Sequence, residues 1–374
     1  MRVLFTTTPG RGHWQPMLPL AQALRATGHE VRWAAAEEVC ARLGKEGFEA
    51  VRSGRGAAEV PVITAPPPEI AALPPAERPD FLFAKFFGPR RAEPMLADLV
   101  PIVEDWQPQL LVCDQAELAG PIAAASNDVP NATHAFGHLL PSQRVARAGE
   151  AVAELWRAQG LEPRPFAGTY DHLYIDIYPP SLQTDDTGHV EDIQLLRPAL
   201  IARDGSPDPL VYVTFGTVWN EDLSLFSTVV KGARELPVRV VVTLGPGHNS
   251  GELGEQPANV RVAEFIPQEQ LLPECAAVVS HAGSGTFLAA LAAGVPQLLL
   301  PGAADQFLNA EAAVRGGVAL VLWPGEVSVA SVRDALKSVL ADTGLREAAE
   351  RVGTEIAAMP PPAAVAAELA RRFG

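Results

Sequence analysis

Cysteine is scarce in this chain, with three residues in 374. Cys40, Cys113 and Cys275 are odd in number, far apart and set in apolar runs. That arrangement excludes a disulfide framework and the paired spacing of a zinc site, and it predicts a reducing, cytoplasmic setting. Positive charge is short as well: 29 Lys and Arg against 44 Asp and Glu leave a formal charge of −15. Neither a nucleic-acid backbone nor an anionic membrane is then the expected partner. No apolar run reaches the roughly 18 residues of a membrane span, and the strand-like run Arg2–Thr8 begins with no signal-peptide pattern ahead of it. The sequence holds no Asp-x-Asp metal pair and no Gly-x-x-x-x-Gly-Lys-Ser/Thr phosphate loop. The early run Gly10-Arg11-Gly12-His13-Trp14-Gln15 lacks the third glycine of a dinucleotide fingerprint.

What is there is a globular composition, 48% hydrophobic and 20% charged, over a length that suits two domains of medium size. Strand-like and helix-like segments alternate from the start: Val3–Thr8, helix Pro16–Thr27 closed by Gly28, Glu30–Ala35, helix Glu37–Glu46, Glu49–Arg52 and, beyond a helix ending near Trp106, Leu110–Asp114. This β-α-β rhythm predicts a parallel sheet covered by helices on both faces. Residues 61–79 carry seven prolines and read as a long surface loop. The rhythm restarts after Arg197–Pro209, with strands at Leu210–Phe215, Val238–Leu244, Val260–Phe265, Ala276–Ser280, Gln297–Leu300 and Ala319–Leu322. The expected architecture is α/β, with two Rossmann-like doubly wound domains, residues 1–200 and 207–358. Such domains face each other across a cleft at the carboxyl ends of their strands. A last helix, 361–374, is expected to pack back on the first domain.

The chemistry concentrates between His281 and Asn309. A strand runs into His281-Ala282-Gly283-Ser284-Gly285-Thr286, where small residues let backbone approach a phosphate and a helix start aims its N–H groups at it. The helix dipole adds about half a positive charge there. Asp305 and Gln306 follow the next strand and offer the acceptors and amide that grip sugar hydroxyls.

In this order, Phe265-Ile266-Pro267-Gln268, His281–Thr286, Gly294-Val295-Pro296, Pro301 and Asp305-Gln306-x-x-Asn309-Ala310 resemble the donor-binding signature of family-one glycosyltransferases. The similarity is closest to the bacterial branch that decorates macrolides, enediynes and aromatic polyketides. It extends to Gly12-His13, Gly28–Val31, Pro179–Gln183, Arg197-Pro198 and Val211–Thr217, and is looser over residues 54–170. The resemblance implies the GT-B fold. It also implies that Phe265 and Ile266 hold the pyrimidine base, that Gly216 and Thr217 approach the diphosphate, and that His281 with Gly283, Ser284, Gly285 and Thr286 binds its oxygens. Asp305 and Gln306 would take the sugar. Plant relatives carry a glutamate for the ribose hydroxyls three residues after the His-x-Gly-x-x-Ser/Thr run. Here that position is Ala289, which suits a deoxyribose and so a dTDP-sugar over a UDP-sugar.

The first half supplies a base. His13 stands between the first strand and the first helix, and Asp114 closes a strand at the same edge of the sheet. A carboxylate on one ring nitrogen fixes the tautomer and stabilises the imidazolium that forms; the resemblance assigns this pair as base and orienting partner. Trp14, Phe81, Phe86, Phe87, Phe136 and His134 are the candidate acceptor contacts, with the segment Gly137–Gly168 as a second wall. The function expected is inverting, metal-independent transfer of a sugar from a dTDP-sugar co-substrate to a hydrophobic natural product, with no cofactor. The alternatives are a non-catalytic nucleotide-sugar-binding partner of a transferase and a GT-B nucleotide-sugar epimerase. The oligomeric state stays open, a homodimer included.

Overall fold

The computed structural model describes residues 1–61, 67–74, 77–198, 201, 209–216 and 223–374. The chain divides into two compact units. The first comprises Met1–Ile177, Asp185–Leu196 and Pro360–Gly374; the second comprises Tyr178–Thr184 and Arg197–Met359. The division is therefore not one cut near residue 200: the short run Tyr178–Thr184 belongs with the second unit, and the chain returns to the first at Asp185–Leu196 and again at Pro360–Gly374.

In the first unit β1 (Arg2–Thr6), β2 (Glu30–Ala35), β3 (Glu49–Arg52), β4 (Leu110–Asp114), β5 (Asn131–His134), β6 (Leu173–Asp176) and β7 (Ile193–Leu195) form one sheet in the order β3-β2-β1-β4-β5-β6-β7. Its ladders are all parallel. Strands covered on both faces need near-continuous apolar sequence, and every residue of Leu110–Asp114 is buried. Strand order reverses between β1 and β4, which opens a crevice at their carboxyl ends.

The helices of this unit are α1 (Arg11–Trp14), α2 (Leu18–Ala26), α3 (Glu37–Lys45), α4 (Pro68–Ala71), α5 (Arg78–Phe87), α6 (Pro89–Trp106), α7 (Gly120–Ser126), α8 (Ser142–Ala151) and α9 (Ala153–Ala158). Two sequence expectations change. His13 lies in a helical turn, α1, and not in an open loop, because α1, a 3-10 turn at Gln15–Met17 and α2 run on almost without a break. The Pro-rich stretch is not all loop either: Pro68 opens α4, where its fixed φ suits a first helical turn. Residues 62–66 and 75–76 of that stretch lie outside the described residues.

The second unit repeats the plan. Strands β8 (Leu210–Thr214), β9 (Arg239–Thr243), β10 (Val260–Ala263), β11 (Cys275–Ser280), β12 (Gln297–Leu299) and β13 (Ala319–Val321) form a parallel sheet in the order β10-β9-β8-β11-β12-β13. Helices α10 (Leu223–Ala233), α11 (Gln268–Leu271), α12 (Ser284–Ala292), α13 (Gln306–Arg315), α14 (Val329–Ala341) and α15 (Thr343–Ala358) accompany it. The last helix, α16 (Pro362–Phe373), belongs to the first unit and lies against α2. Among the described residues no helix is long and apolar enough to cross a membrane.

One face of the first sheet is closed by an aromatic cluster. Trp33 of β2 stacks on Phe5 of β1 with ring centres 4.7 Å apart and meets Phe48 edge-on at 5.9 Å. Trp33 is fully buried. Trp33→Ala should therefore cost about 3–5 kcal/mol of stability, the range for deleting a large aromatic from a packed core. Denaturant unfolding followed by circular dichroism measures it, and a cost under about 1 kcal/mol would rule out that packing.

Candidate active site

At the switch point of the first sheet, β1 and β4 end side by side, with Thr6 in register with Cys113. The residue after Cys113 is Asp114, whose side chain is wholly buried. His13 Nδ1 lies 3.1 Å from Asp114 Oδ1 and 3.0 Å from Oδ2. Thr8 donates to Oδ2 through its N–H at 3.3 Å and its hydroxyl at 3.0 Å, and the Ala116 N–H donates to Oδ1 at 3.2 Å. Burial alone would raise the Asp114 pKa; facing His13, with the hydrogen bonds from His13, Ala116 and Thr8, outweighs it and holds the carboxyl below its ordinary value.

A carboxylate can only accept, so His13 carries its hydrogen on Nδ1 and leaves the Nε2 lone pair available. The ring packs between Phe136, at 4.7 Å, and Phe87, at 5.5 Å. Its other side rests on Gly10, where a Cβ would come within 2.6 Å of His13 Cδ2. Three residues later than Asp114, Glu117 is fully buried and pushed up to about 7, chiefly by burial. Its oxygens accept from the Thr6 hydroxyl at 2.6 Å and from the N–H groups of Ala119 and Gly120 at 2.8 and 2.9 Å.

Of the expected acceptor contacts, the structure gathers Phe87 and Phe136 around His13, with Phe86 edge-on to Phe87 at 4.7 Å. Phe81 is half-buried beneath the Arg147 guanidinium. Trp14 and His134 are not surface contacts. Trp14 is buried. His134 is buried at the end of β5, Nδ1 2.6 Å from the Ala135 carbonyl, and burial drives its pKa down to about 4. The segment expected to form a second wall is mostly helical, in α8 and α9.

The second cluster sits at the switch point of the second sheet, between β8 and β11. His281 follows β11, and its ring occupies space that only glycine leaves open. Gly216 has φ +78°, and a Cβ there would stand 2.8 Å from His281 Cε1; a Cβ on Gly283 would overlap the same ring. Burial lowers the His281 pKa to about 4, so the ring is neutral, and among the described residues its Nδ1 has no hydrogen-bond partner. Helix α12 starts at Ser284 with Gly283 as its N-cap and no side-chain cap. The N–H groups of Ser284, Gly285 and Thr286 are thus first-turn donors without helical acceptors. Thr217 lies outside the described residues.

A hydrogen-bonded chain braces this turn. The Ser284 hydroxyl donates to Asp305 Oδ2 at 2.7 Å. Asn309 Nδ2 donates to the Ala282 carbonyl at 2.8 Å and to Ser284 Oγ at 3.0 Å, and Tyr178 donates to Asn309 Oδ1 at 3.0 Å. Ala282 has φ +65°, a left-handed conformation that Asn309 helps to hold. Gln306 is buried and bends back on its own loop, its Oε1 accepting from the N–H groups of Gly302 and Ala303. That leaves its amide N–H groups, and not its oxygen, for any ligand. Phe265 is 57% exposed, the largest exposure among the bulky apolar side chains described. Gln268 Nε2 donates to Thr286 Oγ1 at 2.9 Å and ties the Phe265–Gln268 turn to the start of α12.

Sequence reading missed Thr8, Gly10, Glu117 and Tyr178. Only Gly10 carried a signal, standing in a glycine-containing turn before His13.

Two doubly wound sheets, each with its polar cluster at the strand-order reversal, make this a GT-B glycosyltransferase fold. The erythromycin biosynthesis protein CIII-like family matches in both parts, its N-terminal domain over residues 22–197 and its C-terminal domain over residues 227–371. The elloramycin glycosyltransferase ElmGT of Streptomyces olivaceus is 32% identical, across 100% of this chain and 98% of that protein. The L-demethylnoviosyl transferase of Streptomyces niveus is 33% identical, across 99% and 98%. The spinosyn rhamnosyltransferase SpnG, solved with thymidine diphosphate, superposes with a TM-score of 0.82 at 28% identity, across 99% of this chain and 100% of that one; it has also been solved with the spinosyn aglycone. The chain belongs to this family of antibiotic glycosyltransferases and is a sugar transferase.

The depressed His134 pKa has a consequence for stability. Its native value, about 4, lies below the ordinary 6.5. Above pH 6.5 both folded and unfolded chains hold it neutral; as pH falls toward 4 the unfolded chain takes up a proton that the folded one does not, and stability is lost. The unfolding free energy should decline across that window, and His134→Gln should flatten the decline. An unchanged slope in the variant would show that His134 is not held neutral by the fold.

Proposed function

We propose that this enzyme moves a deoxysugar from a dTDP-sugar to a hydroxyl of a hydrophobic natural-product aglycone, with inversion and without a metal. The observation that carries the reading is the His13–Asp114 pair, which leaves Nε2 as a proton acceptor among aromatic rings. The acceptor O–H gives its proton to His13 Nε2 as its oxygen bonds to C1 of the sugar. The bond from C1 to the diphosphate oxygen breaks, and the nucleoside diphosphate leaves with the electron pair. Asp114 stabilises the imidazolium so formed. Displacement from the face opposite the leaving group inverts C1.

On this reading the second unit holds the donor. Gly216, Thr217, His281 and the amides of Gly283, Ser284, Gly285 and Thr286 meet the diphosphate. Phe265 stacks on the base beside Ile266, and Asp305 and the Gln306 amide meet the sugar. Charge on the leaving group is then met by oriented dipoles. Ala289, where plant relatives place a ribose-binding glutamate, favours thymidine diphosphate, the nucleotide present with SpnG. Among the described residues no group of three or more His, Cys, Asp or Glu is placed to hold a metal ion. Phe81, Phe86, Phe87 and Phe136 supply the apolar surface for the acceptor, with Trp14 and His134 behind it.

Three measurements test the proposal. His13→Ala should lower transfer by about 10²–10⁴, the usual size of a general-base contribution, with dTDP binding by calorimetry unchanged. A variant retaining full rate would remove His13 from the chemistry, and donor turnover independent of acceptor would favour an epimerase. Transfer should survive saturating EDTA undiminished; loss restored by magnesium would overturn metal independence. Product NMR should show the opposite anomeric configuration to the donor, and retention would exclude single displacement.

A further inference from the structure

Beside the His13–Asp114 pair the first unit has a narrow pocket, lined by Thr8, Ser53, Arg55, Phe87, Arg91 and Glu117 among others. It adjoins the reacting centre through two shared residues: Thr8 is bonded to Asp114, and Phe87 packs against the His13 ring. Its unusual member is Arg91. This residue is only 9% exposed, near the N-terminus of α6, with its guanidinium carbon 4.4 Å over the Phe86 ring. One nitrogen, Nη2, donates to the Val60 carbonyl at 2.6 Å. Among the described residues, Nε and Nη1 are buried with no hydrogen-bond partner.

An arginine that is buried without a carboxylate is costly, because a guanidinium taken from water needs its donors met. The acidic groups nearby do not meet them. Glu117 lines the same pocket, but its oxygens are already engaged by Thr6, Ala119 and Gly120. Glu38 acts on Arg91 through its charge, and its Oε1 accepts from the Ala57 N–H. Arg55 adds a second positive charge at the exposed side of the pocket. The start of α6 adds the positive end of a helix dipole.

We infer that this pocket binds an anionic oxygen substituent of the acceptor, a carboxylate or an ionised phenol or enol, with Arg91 as the residue that selects for it. An oxyanion can take an Nη1 hydrogen in a charge-assisted bond, while the Nε hydrogen, on the other side of the guanidinium, is open to a second acceptor. The stacking on Phe86 and the bond to Val60 fix the guanidinium before the ligand arrives. The pocket admits a substituent and not a ring system, so the aglycone body lies outside it, along Phe87 and Phe136, with its reacting hydroxyl toward His13. The inference rests on the proposal that the first unit is the acceptor half.

The test uses the whole enzyme and two probes differing in one group: 1,2-dihydroxyanthraquinone and its 3-carboxylic acid, titrated by absorbance without donor. The wild type should bind the acid on the order of tenfold or more tightly, the size expected of a charge-assisted pair. Arg91→Met should erase that preference, and Arg91→Lys should keep part of it through its charge. A thermal shift with dTDP checks that each variant is folded; if Arg91→Met is not, the comparison rests on Arg91→Lys, which must then lose part of the preference. If both probes bind the wild type equally, or the ratio survives substitution of Arg91, the role of Arg91 is overturned while the acceptor reading stands. If neither probe binds the wild type, both fall together.

Discussion

The first unit is organised around one buried carboxylate. Asp114 sits at the end of a strand buried along its whole length, where an unmet charge would cost several kcal/mol. Its oxygens are met by donors from three places: the end of β1 through Thr8, the turn after β4 through Ala116, and α1 through His13. Together they outweigh burial and hold the carboxyl below its ordinary pKa. The bonds to this carboxylate thus also tie α1 to the carboxyl ends of the paired strands β1 and β4. Glu117, three residues on, does similar work for the next turn by capping the start of α7 with both oxygens. Two carboxylates lie close together here, and the environments part them. Asp114 faces an imidazole and sits below its ordinary pKa, while Glu117 faces neutral donors and is raised to about 7.

Much of this was legible in the sequence, for reasons that can be named. Parallel strands buried on both faces need unbroken apolar runs, so β4 and β9 were plain. Strands β5, β6 and β7 were not, being three or four residues long and, in Asn131–His134, polar at three of four positions. His13 and Asp114 stood out because a strand end followed by a polar residue is where an α/β sheet places chemistry. What the sequence could not give was burial. Trp14 and His134 have the right residue types and the right neighbourhood, yet both point into the core. The helical turn at α1 escaped notice because Gly10 and Gly12 read as loop. Gly10 in fact clears space for the His13 ring within a helical start. Arg91 was invisible for a related reason: an Arg-Arg pair at a helix start reads as solvated surface, and only packing shows one of the two turned inward.

The histidines of the two units sit in different surroundings, and the difference matches their proposed work. His13 is partly exposed, its side chain 19% accessible, and bonded to the Asp114 carboxylate. A base that gains a charge in the proposed reaction needs such a partner. Among the described residues His281 has no such partner in contact; burial between Gly216 and Gly283 lowers its pKa to about 4. It is suited to donate a single hydrogen bond without becoming charged. A cationic residue in that position would grip a diphosphate harder before and after transfer alike. Uniform binding of that kind does not raise the turnover rate, and it slows release of the nucleoside diphosphate. Dipoles aimed at the leaving oxygen gain most as charge accumulates there. A chain with a formal charge of −15 can thus hold a diphosphate without a basic surface and still let it go.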